Sequence, residues 1–238
     1  HIFGSASIKD KFYNNPRTWY GQQYFNQEIK QDPMDQDLPF ICHANRKISI
    51  EDVKFVLSAH FENTEYDPYG SAPEDVKTRF RTIGINRNHN VHILQVRNTV
   101  PSEIAGIQWL AYGANTFNTV VPFYTNINDT PESYKNATGI FDLNNMYWVS
   151  RPTALLGDSA YAFYVDMRNS FELEAMGAYH LIQNNTDADL ANHTDVTAYL
   201  EAANNQLADE SLKRQTKLLG DMVIAGSEQM KLRYNLND

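Results

Sequence analysis

Two arginines one residue apart, in Thr78-Arg79-Phe80-Arg81-Thr82-Ile83, form the clearest chemical constellation in the chain. Alternate residues of a strand share a face, so a strand here would present Arg79 and Arg81 together, opposite the ring of Phe80. Guanidinium offers donors in a fixed fork that matches a carboxylate, so such a face would suit a carboxylate ligand. The same spacing also fits two surface salt bridges to the nearby Glu74 and Asp75. Cys42 is the one thiol, with His43 and Arg46 close by in sequence, and a nucleophilic thiol needs such a cation beside it in space. Apolar Phe40 and Ile41 before it predict instead a buried, structural cysteine. His89 and His92 are three apart, which on a strand sends them to opposite faces, so neither a metal site nor a metal cofactor is expected from them.

Several reaction classes lack their signatures. The chain contains no Gly-x-Gly-x-x-Gly, Gly-x-x-x-x-Gly-Lys-Ser/Thr, His-Glu-x-x-His or Gly-x-Ser-x-Gly, so dinucleotide, P-loop, zincin and nucleophile-elbow chemistry have no support. A single cysteine excludes an internal disulfide and a four-cysteine zinc site. With 20 Lys and Arg against 29 Asp and Glu, the net charge of −9 is spread without a basic cluster, which argues against nucleic acid as a partner. No apolar run approaches membrane-spanning length and no signal-peptide pattern stands at the start, so the expectation is a cytoplasmic protein with no membrane partner. The 238 residues, 12% of them aromatic, suffice for one sizeable core, and 1–238 is read as a single domain.

These residues must be held by elements that the pattern also indicates. A short helix is expected around Thr18 to Ile29. Ser49 followed by Asp52 predicts a capped helix start, with Ile50, Val53, Val56 or Leu57, and Phe61 near helical spacing. The segment from Asn63 to Ser71 reads as a polar surface loop. Strands are expected at Thr78 to Ile85, Val91 to Arg97, Ile104 to Tyr112 and Thr119 to Tyr124, antiparallel because the breaks between them are short. Apolar residues on both faces of Val91 to Arg97 predict a sheet covered on both sides. A short helix should start near Asp129 to Glu132. Beyond Met146-Tyr147-Trp148 the chain turns helical, with one helix from about Leu155 to Ile182, Gly157 and Gly177 arguing against its continuity, and a second capped by Thr194 and ended by Gly226.

The collinear blocks Tyr13-Asn14-Asn15-Pro16-Arg17-Thr18-Trp19, Leu38-Pro39-Phe40, Lys47 to Val53, Tyr66-Asp67-Pro68-Tyr69-Gly70, Arg79 to Ile83, His92 to Gln95, Trp109 to Gly113, Val121 to Tyr124 and Met146-Tyr147-Trp148 resemble the C-terminal half of the N-terminal-cysteine dipeptidases of the dipeptidase A/D family. That family is related to the bile-salt hydrolase and penicillin V acylase group. The resemblance implies an α+β architecture, part of the αββα sandwich of an N-terminal-nucleophile hydrolase, with an antiparallel sheet and long C-terminal helices. It also implies hydrolysis of dipeptides through an acyl-enzyme on a processed N-terminal cysteine, whose own α-amino group serves as base.

The chain departs from the family where the nucleophile should be. It begins with His1, and Cys42 lies in the segment that matches the later Pro-Phe region. The expectation is therefore the C-terminal part of a larger cysteine-type dipeptidase, inactive alone, with the N-terminal nucleophile half of the same protein as its missing partner. An unpaired sheet face should then favour homo-oligomers. In the related acylases an Arg-Phe strand before a His-Ile-Leu strand supplies an active-site arginine, which the resemblance carries to Arg79 as the catalytic cation, with Arg81 as the alternative and as a substrate-binding group. No cofactor is implied. The competing function is a noncatalytic domain that binds small carboxylates or peptides through the same two arginines.

Overall fold

The computed structural model describes residues 7–230, which form two compact units divided between Ile85 and Asn86. In the first, helix α1 (Asn15–Phe25) carries Pro16 in its first turn and turns Trp19 and Tyr20 inward. Helix α2 (Ile50–Ser58) starts as the sequence indicates. The Ser49 hydroxyl accepts from the Asp52 backbone N–H at 3.1 Å, and the Asp52 carboxylate accepts from the Ser49 N–H at 2.9 Å. Arg46 and the Tyr24 hydroxyl also donate to that carboxylate, at 2.6 and 3.0 Å. Arg46 first, then Ser49 and Tyr24, hold Asp52 below the usual carboxylate range against the opposing effect of burial.

The core of this unit is aromatic: Trp19, Tyr20, Phe61 and Phe80 with Ala59, flanked by Met34, Leu38, Phe55, Tyr66 and Ile83. Phe61 takes φ +65°, a costly conformation for a bulky residue, and its wholly buried ring packs edge-on to Tyr20 at 5.5 Å. Burial of such a ring contributes about 1.5 to 3 kcal/mol, enough to hold the strained backbone.

No strand forms at Thr78 to Ile85. Thr78 caps the short helix α3 (Glu74–Lys77), and the following residues run irregularly, with the N–H groups of Ile83 and Gly84 both donating to the Ala59 carbonyl. The ring of Phe80 decides this path, because it packs 4.6 Å from Tyr66 inside the aromatic core, and among the described residues this unit holds no strand for the segment to pair with.

The second unit is a three-stranded antiparallel sheet, β1 (Asn90–Val96), β2 (Gly106–Tyr112) and β3 (Val121–Tyr124), in that order. Three helices follow: α4 (Met146–Ser159), α5 (Tyr161–Asp189) and α6 (Val196–Ser227). The single helix expected from Leu155 to Ile182 is two. The break is at Ala160, at φ −152° and ψ 60°, and not at a glycine. Gly157 instead allows close approach, since a Cβ there would lie 2.3 Å from the Phe117 ring. Asp195, one residue after the expected Thr194, caps α6 by accepting from the Ala198 N–H at 3.0 Å, and the helix runs through Gly226.

One face of the sheet packs on helices. Trp109 lies 5.4 Å from His180 of α5 and donates its indole N–H to Gln95 at 2.9 Å. The Tyr124 hydroxyl donates to Asp187 at 2.7 Å, and Asp187 in turn pairs with Arg97. Buried Asn204 of α6 accepts from the Tyr124 N–H at 2.9 Å and donates to its carbonyl at 3.0 Å, so an amide side chain closes the outer edge of β3. On the opposite face Tyr134 covers Phe123 and Tyr112, at ring distances of 4.8 and 5.5 Å. The β1 side of that face is open: Leu94 and Val96 are 72% and 78% exposed, and His92 beside them is exposed too. The expected cover on both faces is thus absent over β1 among the described residues.

Candidate functional site

Arg79 and Arg81 do not stand side by side on a strand. Arg79, exposed in the turn after α3, directs Nη2 to the thioether of Met34 at 3.2 Å, and its guanidinium lies 5.6 Å from the Phe80 ring. Arg81, half-buried, lies instead over the ring of Tyr13 at 4.9 Å. The alternative pairing with Glu74 and Asp75 is absent as well: Glu74 takes Lys77 at 3.1 Å, and no carboxylate among the described residues lies within ion-pair distance of Arg79 or Arg81.

The structure brings a third arginine to Arg81. Arg17 of α1 lies 4.4 Å from the same Tyr13 ring, and its Nε donates to the Arg81 carbonyl at 3.3 Å. The Arg81 N–H donates to the Phe12 carbonyl at 3.4 Å, tying the two segments together beside Tyr13. Burial lowers Arg17 below the usual arginine range, Tyr13 counteracts, and the like charge of Arg81 adds to the lowering. Sequence reading missed Arg17 because its partner is 64 residues away. The available signal was the four-residue spacing from Tyr13, which lies in the turn just before α1 and so near the first turn that carries Arg17.

Cys42 lies in an irregular loop and is half-buried, and the apolar residues before it point outward, with Phe40 79% and Ile41 76% exposed. This corrects the expectation of a buried structural thiol: the large side chains that should have covered it turn to solvent. The thiol has no hydrogen-bond partner among the described residues, while Arg46 is engaged by Asp52 and Asn26 holds the His43 carbonyl at 2.9 Å. Nothing there forms the base-and-thiol pair that nucleophilic catalysis requires.

His89 precedes β1 and packs 6.5 Å from Tyr147, whereas His92 is exposed on β1. His89, Tyr112, Tyr134, Lys135, Asn145 and Tyr147 line a cavity of about 290 Å³ at that end of the sheet. Its cation is already occupied, with Lys135 paired to Asp129 at 2.6 Å and to Glu132 at 3.4 Å. No helix among the described residues is long and apolar enough to cross a membrane.

Comparison with known proteins agrees with the collinear blocks. The model of peptidase family C69 matches residues 1–174. A probable dipeptidase B of Lactococcus lactis subsp. lactis (strain IL1403) is 63% identical over 240 residues, covering 100% of this chain and 50% of that protein. Dipeptidase A of Lactobacillus helveticus is 49% identical across 100% of this chain and 51% of its own length. A dipeptidase of Bifidobacterium longum (strain NCC 2705) is 30% identical across 99% and 54%. The chain spans about half the length of the relatives it matches. It belongs to peptidase family C69.

Proposed function

We propose that this chain is the C-terminal portion of a cysteine-type dipeptidase, built on part of an αββα N-terminal-nucleophile sandwich. The observation that carries this reading is 63% identity, over the whole chain, to half of a probable dipeptidase. The nucleophile would be an N-terminal cysteine on the other half. Its α-amino group accepts the thiol proton, the thiolate attacks the peptide carbonyl, the C–N bond breaks with release of the amine, and water then hydrolyses the thioester. Arg79, exposed and without a carboxylate, is the catalytic cation of this reading, able to stabilise charge that develops at the reacting carbonyl. Arg81 binds substrate. Residues 1–238 act as one domain of the assembled enzyme, and the open face of β1 is where the sheet of the other half would pack. Without it, the same face would drive self-association.

Reconstitution tests the reading. The chain alone should not hydrolyse dipeptides, and co-expression with a cysteine-led N-terminal half should give turnover. Turnover by the chain alone that is abolished by Cys42→Ala would overturn it.

A further inference from the structure

The two guanidiniums that meet on Tyr13 are an unusual arrangement in an acidic chain. With 29 carboxylates against 20 cations, a surface arginine has many partners to choose from, and Arg46, Arg97, Arg168 and Arg214 all take one. Arg17 and Arg81 take none within ion-pair distance among the described residues. They lie 4.4 and 4.9 Å from one ring centroid, so the two guanidinium carbons are no farther apart than those distances combined. A carboxylate accepting N–H···O bonds of about 2.9 Å at each oxygen can bridge such a pair.

The arrangement is also built rather than adventitious. Arg17 is fixed by its Nε bond to the Arg81 carbonyl, and Arg81 by its backbone bond to Phe12. The ring of Tyr13 supports both cations through its π-face. Arg17 Nη2 is buried with no acceptor among the described residues. Burial first, and the like charge of Arg81 after it, push Arg17 down, and a bound oxyanion between the two cations would offset the like-charge part.

We propose that Arg17 and Arg81, held on the ring of Tyr13, form a binding site for the carboxylate of a small peptide. That the peptide is a dipeptide rests on the dipeptidase reading; the carboxylate preference rests on the arginines alone. Arg79 lies outside this site, paired with Met34. Dipeptide binding by the full chain, without the other half, is the direct measurement. Calorimetric titration should show saturable binding of a dipeptide with a free carboxylate and at least tenfold weaker binding of its C-terminal amide. Acetate should compete.

Arg17→Lys and Arg81→Lys should each weaken binding about tenfold, because lysine keeps the charge and loses the fork. Arg87→Lys, at an exposed arginine outside the site, should leave it unchanged. Thermal unfolding of each variant separates a lost site from a lost fold, and Tyr13→Leu, which removes the platform without touching either cation, should weaken binding severalfold. Equal affinity for dipeptide and amide, unchanged affinity in both lysine variants at wild-type unfolding temperature, or no dipeptide binding by the folded chain would each overturn the proposal. Hydrolysis by the reconstituted pair is read separately, so a chain that binds carboxylates in a pair that never turns over would refute the enzyme and keep the site.

Discussion

The open face of β1 sets a quantitative expectation for how the chain associates. Leu94 and Val96 lie on one side of the strand, 72% and 78% exposed, opposite Gln108 and Gly106 of β2. Burying a Leu or Val side chain fully is worth about 1.5 to 3 kcal/mol, so what these two still have to gain is about 2 to 4 kcal/mol together. That corresponds to a change of about 30-fold to 1,000-fold in a dissociation constant. Replacing both by lysine removes the gain and adds the cost of burying two ammonium groups, while the chain itself loses little because both positions already face solvent. Association of Leu94→Lys/Val96→Lys with an N-terminal half should therefore weaken at least 30-fold in analytical ultracentrifugation, self-association of the lone chain should weaken likewise, and urea unfolding should shift by less than about 1 kcal/mol. Unchanged association would show that the face is not the interface. A stability loss of several kcal/mol would show that these side chains already contribute to the fold.

Four other expectations test the packing and the assigned cations. Asp187→Ala removes the partner of Arg97 and an acceptor of Tyr124, and should cost about 3 kcal/mol in urea unfolding, whereas Tyr124→Phe, which leaves the ion pair, should cost about 1. Asp52→Asn should cost about 1 to 2 kcal/mol at pH 7. Since the folded Asp52 is depressed, that stability is present above the unfolded carboxylate value near 4 and is lost as pH falls below it, so wild type and variant should converge in unfolding at pH 3 relative to pH 7. Gly157→Ala drives a methyl to 2.3 Å from Phe117 and should lower stability by about 1 to 3 kcal/mol in thermal unfolding. In the reconstituted enzyme Arg79→Lys should lower kcat about a hundredfold, while Arg17→Lys raises KM with kcat little changed, as steady-state kinetics would separate.

What was legible in the sequence was what local chemistry decides. The Ser49 and Asp52 exchange needs only residues three apart, and the three strands of the second unit announce themselves by β-branched and aromatic runs between turn residues. Glycine misled because its reason was remote. Gly157 reads as a weak point of a helix, yet it sits inside α4 to admit Phe117, and the real break at Ala160 has no residue signal at all. Thr78 to Ile85 alternates like a strand, but a strand needs a neighbour to bond, and the segment instead follows Phe80 into a core of rings supplied from α1 and the turn after α2.

The candidate site divides in the same way. Arginines could be picked out by type, and the alternation placed Arg79 with Arg81, because sequence reading can test only neighbours in sequence. Folding replaced that pair with Arg17 and Arg81, since Tyr13 presents a π-face to both and the Arg81 backbone accepts from Arg17. The partition has a chemical consequence. On the proposed function the chain supplies cations that position a carboxylate and stabilise developing charge, but its one thiol lies in a loop without a base or a hydrogen-bond partner among the described residues. A thiol of that kind has no neighbouring group placed to take its proton, whereas a cysteine at a chain terminus carries its own amine within reach. Electrostatic binding survives division of an enzyme into halves, because it depends on groups fixed within one unit. Nucleophilic attack does not, because the attacking atom must stand within about 3 to 3.5 Å of the carbonyl that the cations hold. On the proposed function, this chain without the other half should therefore retain recognition and lose turnover.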